Sequence, residues 1–244
     1  MICWVLIEHF AMSLLSYQER RSQIETYFDR TAVQAWARLT SDAPVGRIRA
    51  TVRAGREAMR EKLLAWLPAD LQGRRILDAG CGTGALAIEA ARRGAHVVAI
   101  DLSPTLVDLA RERMSPLVGR GSVEFRSGDM LDPALGSFDH VVAMDSVIHY
   151  RTDDAVDALS RLAQRTSGSV LFTFAPSTPL LAAMIKVGRL FPRSDRAPWL
   201  EPMSEKALVQ AMGQDVVLAG WQLDRTERVS SGFYKSQAMQ WSPR

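Results

Sequence analysis

The stretch Leu77-Asp78-Ala79-Gly80-Cys81-Gly82-Thr83-Gly84 decides the reading of this 244-residue chain. It comes after an apolar run and before a helical pattern, the setting in which a glycine-rich turn lets backbone approach a nucleotide closely. Glycine suits such a turn because a Cβ would collide or forbid the backbone angles. Taken alone, alternating glycines also describe an ordinary tight turn.

Outward from that turn, short apolar runs alternate with helical segments, as in a parallel sheet covered on both faces. Strands are expected at 75–79, 96–101, 122–126, 138–144 and 168–174, with helices at 84–93, 104–114 and 153–165. Beyond Ala175 the pattern suggests an amphipathic segment at 178–190, a loop from Phe191 to Pro202 and a helix from Ser204 to Met212. Two further strands, 221–228 and 232–239, make a hairpin around Ser231-Gly232. Upstream, residues 17–67 read as helical, broken at Asp42-Ala43-Pro44 and ended by Pro68. The expected organisation is an N-terminal extension (1–16), a helical cap (17–69) and an α/β domain (70–244) with an insertion around 178–203 lining the substrate cleft.

Hydrophobic residues make up 47 % of the chain, enough to give one α/β domain a substantial core. A net charge of +3 biases the surface mildly toward anions and is too weak to indicate nucleic acid. With only Cys3 and Cys81, a disulfide framework is not expected, and a cytoplasmic location fits. The apolar start is interrupted by Glu8 and His9 and is too short to span a bilayer.

Two acids fall in register with the glycine turn. The second strand ends at Asp101, about twenty residues on, where a carboxylate can accept hydrogen bonds from ribose hydroxyls. The third strand runs into Ser127-Gly128-Asp129-Met130, placed to read an adenine amino group. The competing reading is that Asp101 and Asp129 cap the helices that come after their strands. With the spacing of Gly80, Gly82 and Gly84, these segments resemble the class I S-adenosylmethionine methyltransferases. A nicotinamide enzyme usually spaces its glycines G-x-G-x-x-G; here Ala85 stands where the last would fall, and Leu86 comes after it. The resemblance implies a Rossmann-like, mostly parallel seven-stranded sheet with an antiparallel last strand. It assigns the cofactor to Asp78, Gly80, Cys81, Gly82, Gly84, Asp101, Leu102, Asp129, Met130 and Asp145, with Asp78 facing the methionine amino group.

Three further segments point to the methyl acceptor: Tyr27-Phe28-Asp29-Arg30, Val45-Gly46-Arg47-Ile48-Arg49 with Val52-Arg53-Ala54-Gly55-Arg56, and Asp145-Ser146-Val147-Ile148-His149-Tyr150. Together they resemble the magnesium protoporphyrin IX O-methyltransferases of chlorophyll and bacteriochlorophyll synthesis. That resemblance implies esterification of one ring propionate, leaving S-adenosylhomocysteine (SAH), with magnesium carried by the substrate and no metal held by the protein. It places Tyr27 and His149 at the transfer site, and adds contact with the large subunit of magnesium chelatase and peripheral association with the photosynthetic inner membrane. One departure is Gly46, where relatives are expected to carry a polar residue.

The chemistry agrees with what the chain lacks. Methyl transfer is an in-line displacement that demands an oxygen roughly 3 Å from the methyl carbon. A propionate, with a pKa of about 4 to 5, is already ionised at neutral pH, so no general base is needed. The requirement instead is a frame that aims the carboxylate without quenching it, since a tight bidentate arginine would hold back the attacking oxygen. Tyr27 and His149 suit that frame, although Tyr27 also fits plain helix packing and His149 also fits a loop histidine or an axial ligand of the porphyrin magnesium. Arg47 and Arg49, before Arg56, are the candidates for holding propionates; the alternative is a solvated helix face.

Overall fold

The computed structural model describes residues 17–27, 29, 33–40, 44–114, 120–177 and 200–244. The expected extension at 1–16, the amphipathic segment at 178–190 and nearly all of the loop after it lie outside these.

Seven strands form one sheet: β1 (Arg75–Ala79), β2 (His96–Asp101), β3 (Ser122–Ser127), β4 (Phe138–Ala143), β5 (Thr166–Phe174), β6 (Trp221–Ser231) and β7 (Tyr234–Pro243). Their order is β3-β2-β1-β4-β5-β7-β6. β1 to β5 pair in parallel, while β7 runs antiparallel to both β5 and β6. The expected fold class is present, with the antiparallel strand lying inside the edge strand.

The core arises from strand alternation, since successive side chains point to opposite faces. Ile76, Val97, Ala99, Val142 and Leu171 pack with α3 (Arg47–Trp66), α4 (Ala85–Arg92) and α5 (Pro104–Arg113), through Met59, Leu63, Leu86, Ala90, Val107 and Ala110. Their neighbours Leu77, Val98, Val141 and Phe172 pack with α6 (Thr152–Ala163) and α7 (Glu205–Gln214), through Leu159, Leu162, Leu208 and Met212. Burial of each such side chain contributes about 1.5–3 kcal/mol. This two-sided burial explains why the central strands read as continuous apolar runs rather than as alternation.

The described residues of the cap include α1 at residues 17–26, α2 (Val33–Leu39) and α3. The Asp29 carboxylate accepts from Ser103 Oγ at 3.1 Å and Thr105 Oγ1 at 2.7 Å, tying the cap to the start of α5. Gly46 is the N-cap of α3 and makes no side-chain cap bond. A polar residue there would cap the helix, and glycine forgoes only a few tenths of a kcal/mol, roughly. The hairpin turns through Gly232, whose φ of 54° is left-handed, as a two-residue turn requires.

Candidate functional site

The chain leaves β1 in one direction to build β2 and β3 and in the other to build β4 and β5, so the order reverses between β1 and β4. Ligands bind open α/β sheets at the carboxyl ends of strands flanking such a reversal. Asp78 and the glycine turn lie at that end of β1, Asp101 ends β2, Asp129 comes just after β3, and Asp145 to His149 come after β4. The residues expected around the cofactor are therefore brought to one edge.

Backbone geometry explains the glycines. Gly80 has φ 84°, and a Cβ on it would stand 2.5 Å from Ser146 Cβ. Gly84 has φ 77° and caps α4; a Cβ there would meet the Phe125 ring at 2.7 Å. The amides of Gly80 and Cys81 donate to Ile100 O, and that of Gly82 donates to Asp101 Oδ2 at 2.8 Å. The amide of Ser103 donates to the other Asp101 oxygen at 3.0 Å. Burial pushes the Asp101 carboxyl up, and these amides pull it back. Cys81 sits within the turn, its thiol pushed up by burial and by the nearby Asp78 and Asp101 carboxylates.

Asp78 is buried, 2 % exposed, and its Oδ2 has no hydrogen-bond partner in the structure. Burial, then the charge of Asp101, push its carboxyl up to about 7, against one backbone hydrogen bond. A second orphaned buried oxygen, Ser146 Oγ, belongs to the residue lying against Gly80. An unsatisfied carboxylate beside a cradle of glycine amides calls for a cationic, hydrogen-bonding ligand. The ammonium of S-adenosylmethionine answers that need, so the residues present fit the donor.

The other two acids are held by side chains from far away in the chain. Asp129 accepts from Tyr17 Oη at 2.8 Å and Arg21 Nη1 at 3.1 Å on α1, and from the amide of Leu131 at 2.8 Å. Tyr17 also stacks on Tyr150, ring centroids 5.0 Å apart, and Arg20 pairs with Glu201 at 2.8 Å. Burial first, with the Tyr150 and Asp129 neighbours, pushes the Tyr17 phenol far above its usual range. Asp145 takes an ion pair from Arg56 and a hydrogen bond from Tyr234 Oη at 3.0 Å. Met130 and Leu102 pack into the core beside these acids.

Tyr27 lies half-buried just past α1, where burial raises its phenol, and His149 is buried at the end of the 3-10 turn Val147–His149. Arg47 and Arg49 are exposed at the start of α3; Arg56 lies about two turns further along, its guanidinium 4.4 Å from the Trp36 ring. Tyr17, Arg21, Trp36, Thr173 and Tyr234 contact the candidate acids or the glycine turn, and the sequence reading misses them. Nothing local marks them, because each acts on an acid or turn remote in the chain. Among the described residues no group of three His, Cys, Asp or Glu is arranged to hold a metal ion.

Comparison with known proteins accords with this geometry. Residues 143–243 match the family described as magnesium-protoporphyrin IX methyltransferase C-terminus, and residues 76–167 match a methyltransferase domain. A magnesium-protoporphyrin O-methyltransferase of Rhodobacter capsulatus is 48 % identical over 228 residues, covering 93 % of this chain and 98 % of that one. The crystal structure of magnesium protoporphyrin IX methyltransferase from Synechocystis PCC 6803 with bound SAH superposes with a TM-score of 0.79 at 29 % identity, covering 91 % and 99 % of the two chains. A ubiquinone biosynthesis O-methyltransferase of Xanthomonas oryzae is 36 % identical, over only 51 % of this chain and 54 % of its own length. Similarity over nearly the full length, carried into the cap and the carboxyl-terminal segment as well as the nucleotide turn, means that the chain belongs to the magnesium-protoporphyrin O-methyltransferase family.

Proposed function

We infer that this protein transfers a methyl group from S-adenosylmethionine to a propionate carboxylate of magnesium protoporphyrin IX, giving the monomethyl ester. The observation that carries the reading is the 48 % identity across 98 % of a relative bearing that activity in its name. The alternatives are a methyltransferase acting on a small molecule such as a quinone or polyketide, and a noncatalytic cofactor-binding subunit; the ubiquinone-pathway relative matches over only 51 % of this chain.

When bound, the donor supplies an electrophilic methyl group. Asp78 would hold its ammonium, Asp101 the ribose hydroxyls, and the segment at Asp129 and Met130 the adenine. The glycine turn lets backbone approach the ligand closely; its left-handed angles, and the packing of Ser146 and Phe125 against Gly80 and Gly84, leave no room for side chains. Tyr27 and His149 aim the propionate oxygen without neutralising it, while the exposed Arg47 and Arg49 steer a dianionic substrate toward the edge. No residue has to remove a proton, because the attacking carboxylate is already ionised.

The family resemblance extends the proposal to contact with the large subunit of magnesium chelatase and to peripheral placement at the photosynthetic membrane. Among the described residues no helix is long and apolar enough to cross a membrane. The deciding experiment is a methylation assay with magnesium-loaded and metal-free protoporphyrin side by side. Ester formed on the magnesium pigment is the expected result; label transferred only to a quinol would replace this reading with the alternative.

A further inference from the structure

Asp145 is the one non-glycine residue with positive φ among the described residues, at 54°. A left-handed aspartate is strained and persists only where its surroundings over-determine it. They do so here. Its amide donates to Thr173 Oγ1 at 2.8 Å, and the Thr173 hydroxyl lies 3.2 Å from Oδ1. Tyr234 Oη donates to the same carboxylate, whose side chain is only 5 % exposed, and Arg56 closes the ring as an ion pair. Gly55 makes room, since a Cβ there would stand 2.5 Å from the Tyr234 ring. Strands β4, β5 and β7 and helix α3 thus converge on one carboxylate.

The turn at Asp145 sets the course of the next four residues, placing Ser146 against Gly80 and leading into the 3-10 turn that ends in His149. The Arg56 guanidinium also meets Trp36 of α2, and the Trp36 indole nitrogen lies 3.3 Å from where a Cβ on Gly82 would be. One cation therefore touches both the cap over the glycine turn and the acid that shapes the acceptor loop. We propose that Arg56 is a positioning residue: its pair with Asp145 holds the left-handed turn that presents Ser146 and His149, and its contact with Trp36 registers the cap to that turn. A guanidinium already paired with a buried carboxylate has little left to offer a propionate, so the substrate's anionic groups fall to other residues. The proposal rests on the methyl-transfer reading for its kinetic part and on the fold alone for its structural part.

The test uses the full chain with Arg56→Gln, Arg56→Lys, Asp145→Asn and the double variant Arg56→Gln/Asp145→Asn. In donor-free protein, hydrogen exchange at the amides of Asp145 and Tyr150 quickens about tenfold or more in Arg56→Gln, because local opening becomes easier. In turnover, kcat falls about tenfold or more while the pigment KM moves less than about twofold, the mark of lost alignment rather than lost binding. The double variant is no worse than the poorer single, as expected of partners in one interaction, and Arg56→Lys recovers part of kcat. A raised pigment KM at unchanged kcat would make Arg56 a propionate ligand, and unaltered exchange at both amides would show that it positions nothing; either overturns the proposal. If Arg56→Gln does not fold, Tyr234→Phe removes a second donor from Asp145, and wild-type exchange together with wild-type kcat in that variant would be equally fatal. Failure of the wild-type protein to methylate the pigment would sink the functional reading while leaving the exchange measurement in force.

Discussion

Asp101 and Asp129 stand at the ends of neighbouring strands on the same edge of the sheet, yet they are held in different ways. Asp101 is bound by amides of its own turn and of the glycine turn nineteen positions away, donors that exist whatever the side chains are. Asp129 is bound on both oxygens by the cap, through Tyr17 and Arg21, more than a hundred residues upstream. The first arrangement is a rigid backbone cradle; the second is a clasp that forms only when the cap is seated. We propose that ligand affinity resides mainly in the cradle and that the clasp governs how firmly the cap docks.

The severest way to break that contrast is at Gly80. Gly80→Val puts a branched side chain into a left-handed position already touching Ser146, and donor affinity should fall at least about 100-fold by calorimetry. Retained affinity would mean that the turn is not the cradle. Asp101→Ala comes next: loss of hydrogen-bonded hydroxyl partners should weaken donor binding by about 1–3 kcal/mol, with the cap's hydrogen exchange little changed.

Acid sharpens the same comparison through Asp78. With its carboxyl near 7 in the free protein, donor affinity should decline about tenfold per unit as pH falls from 7 toward 5.5, since an ammonium needs the ionised form. Asp78→Asn should give a weaker and flat profile; a flat profile in the wild type would remove Asp78 from the ammonium site. The stability of the free protein runs the other way. The contribution of Asp78 is whole below the ordinary aspartate range and is lost as pH rises through about 7. The smallest effect belongs to the clasp. Tyr17→Phe should cost about 0.5–1.5 kcal/mol of cap docking, seen as faster exchange in α1 with donor affinity lowered only a few-fold. A loss as large as that of Asp101→Ala would erase the distinction between cradle and clasp.

The nucleotide half is legible in the sequence because its determinants are local. The apolar strand runs, the three glycines and the acid at 101 are separated by spacings that the βαβ unit itself imposes, so residue order nearly equals spatial order. The hairpin is legible in the same way, although β7 lies inside β6 and both strands run a few residues further than the pattern suggests. The cap is harder. Its apolar spacing suggests helices without saying where Asp29 diverts to Ser103 and Thr105, and no pattern in residues 17–21 announces Asp129 as their partner. In the sequence Arg56 is one cation among several on a solvated or substrate-holding face; only packing surrounds it with Asp145 and Trp36.

The sequence by itself determined the doubly covered sheet, the glycine turn and the first two acids, since short-range sterics and hydrogen bonding leave those residues few alternatives. Only the tertiary structure decided which distant side chains satisfy Asp129 and Asp145 and left oxygens of Asp78 and Ser146 buried without a partner. The reason is that a buried carboxylate must be satisfied by whatever donors packing brings within about 3 Å, and that choice is made by the meeting of elements rather than by the order of residues.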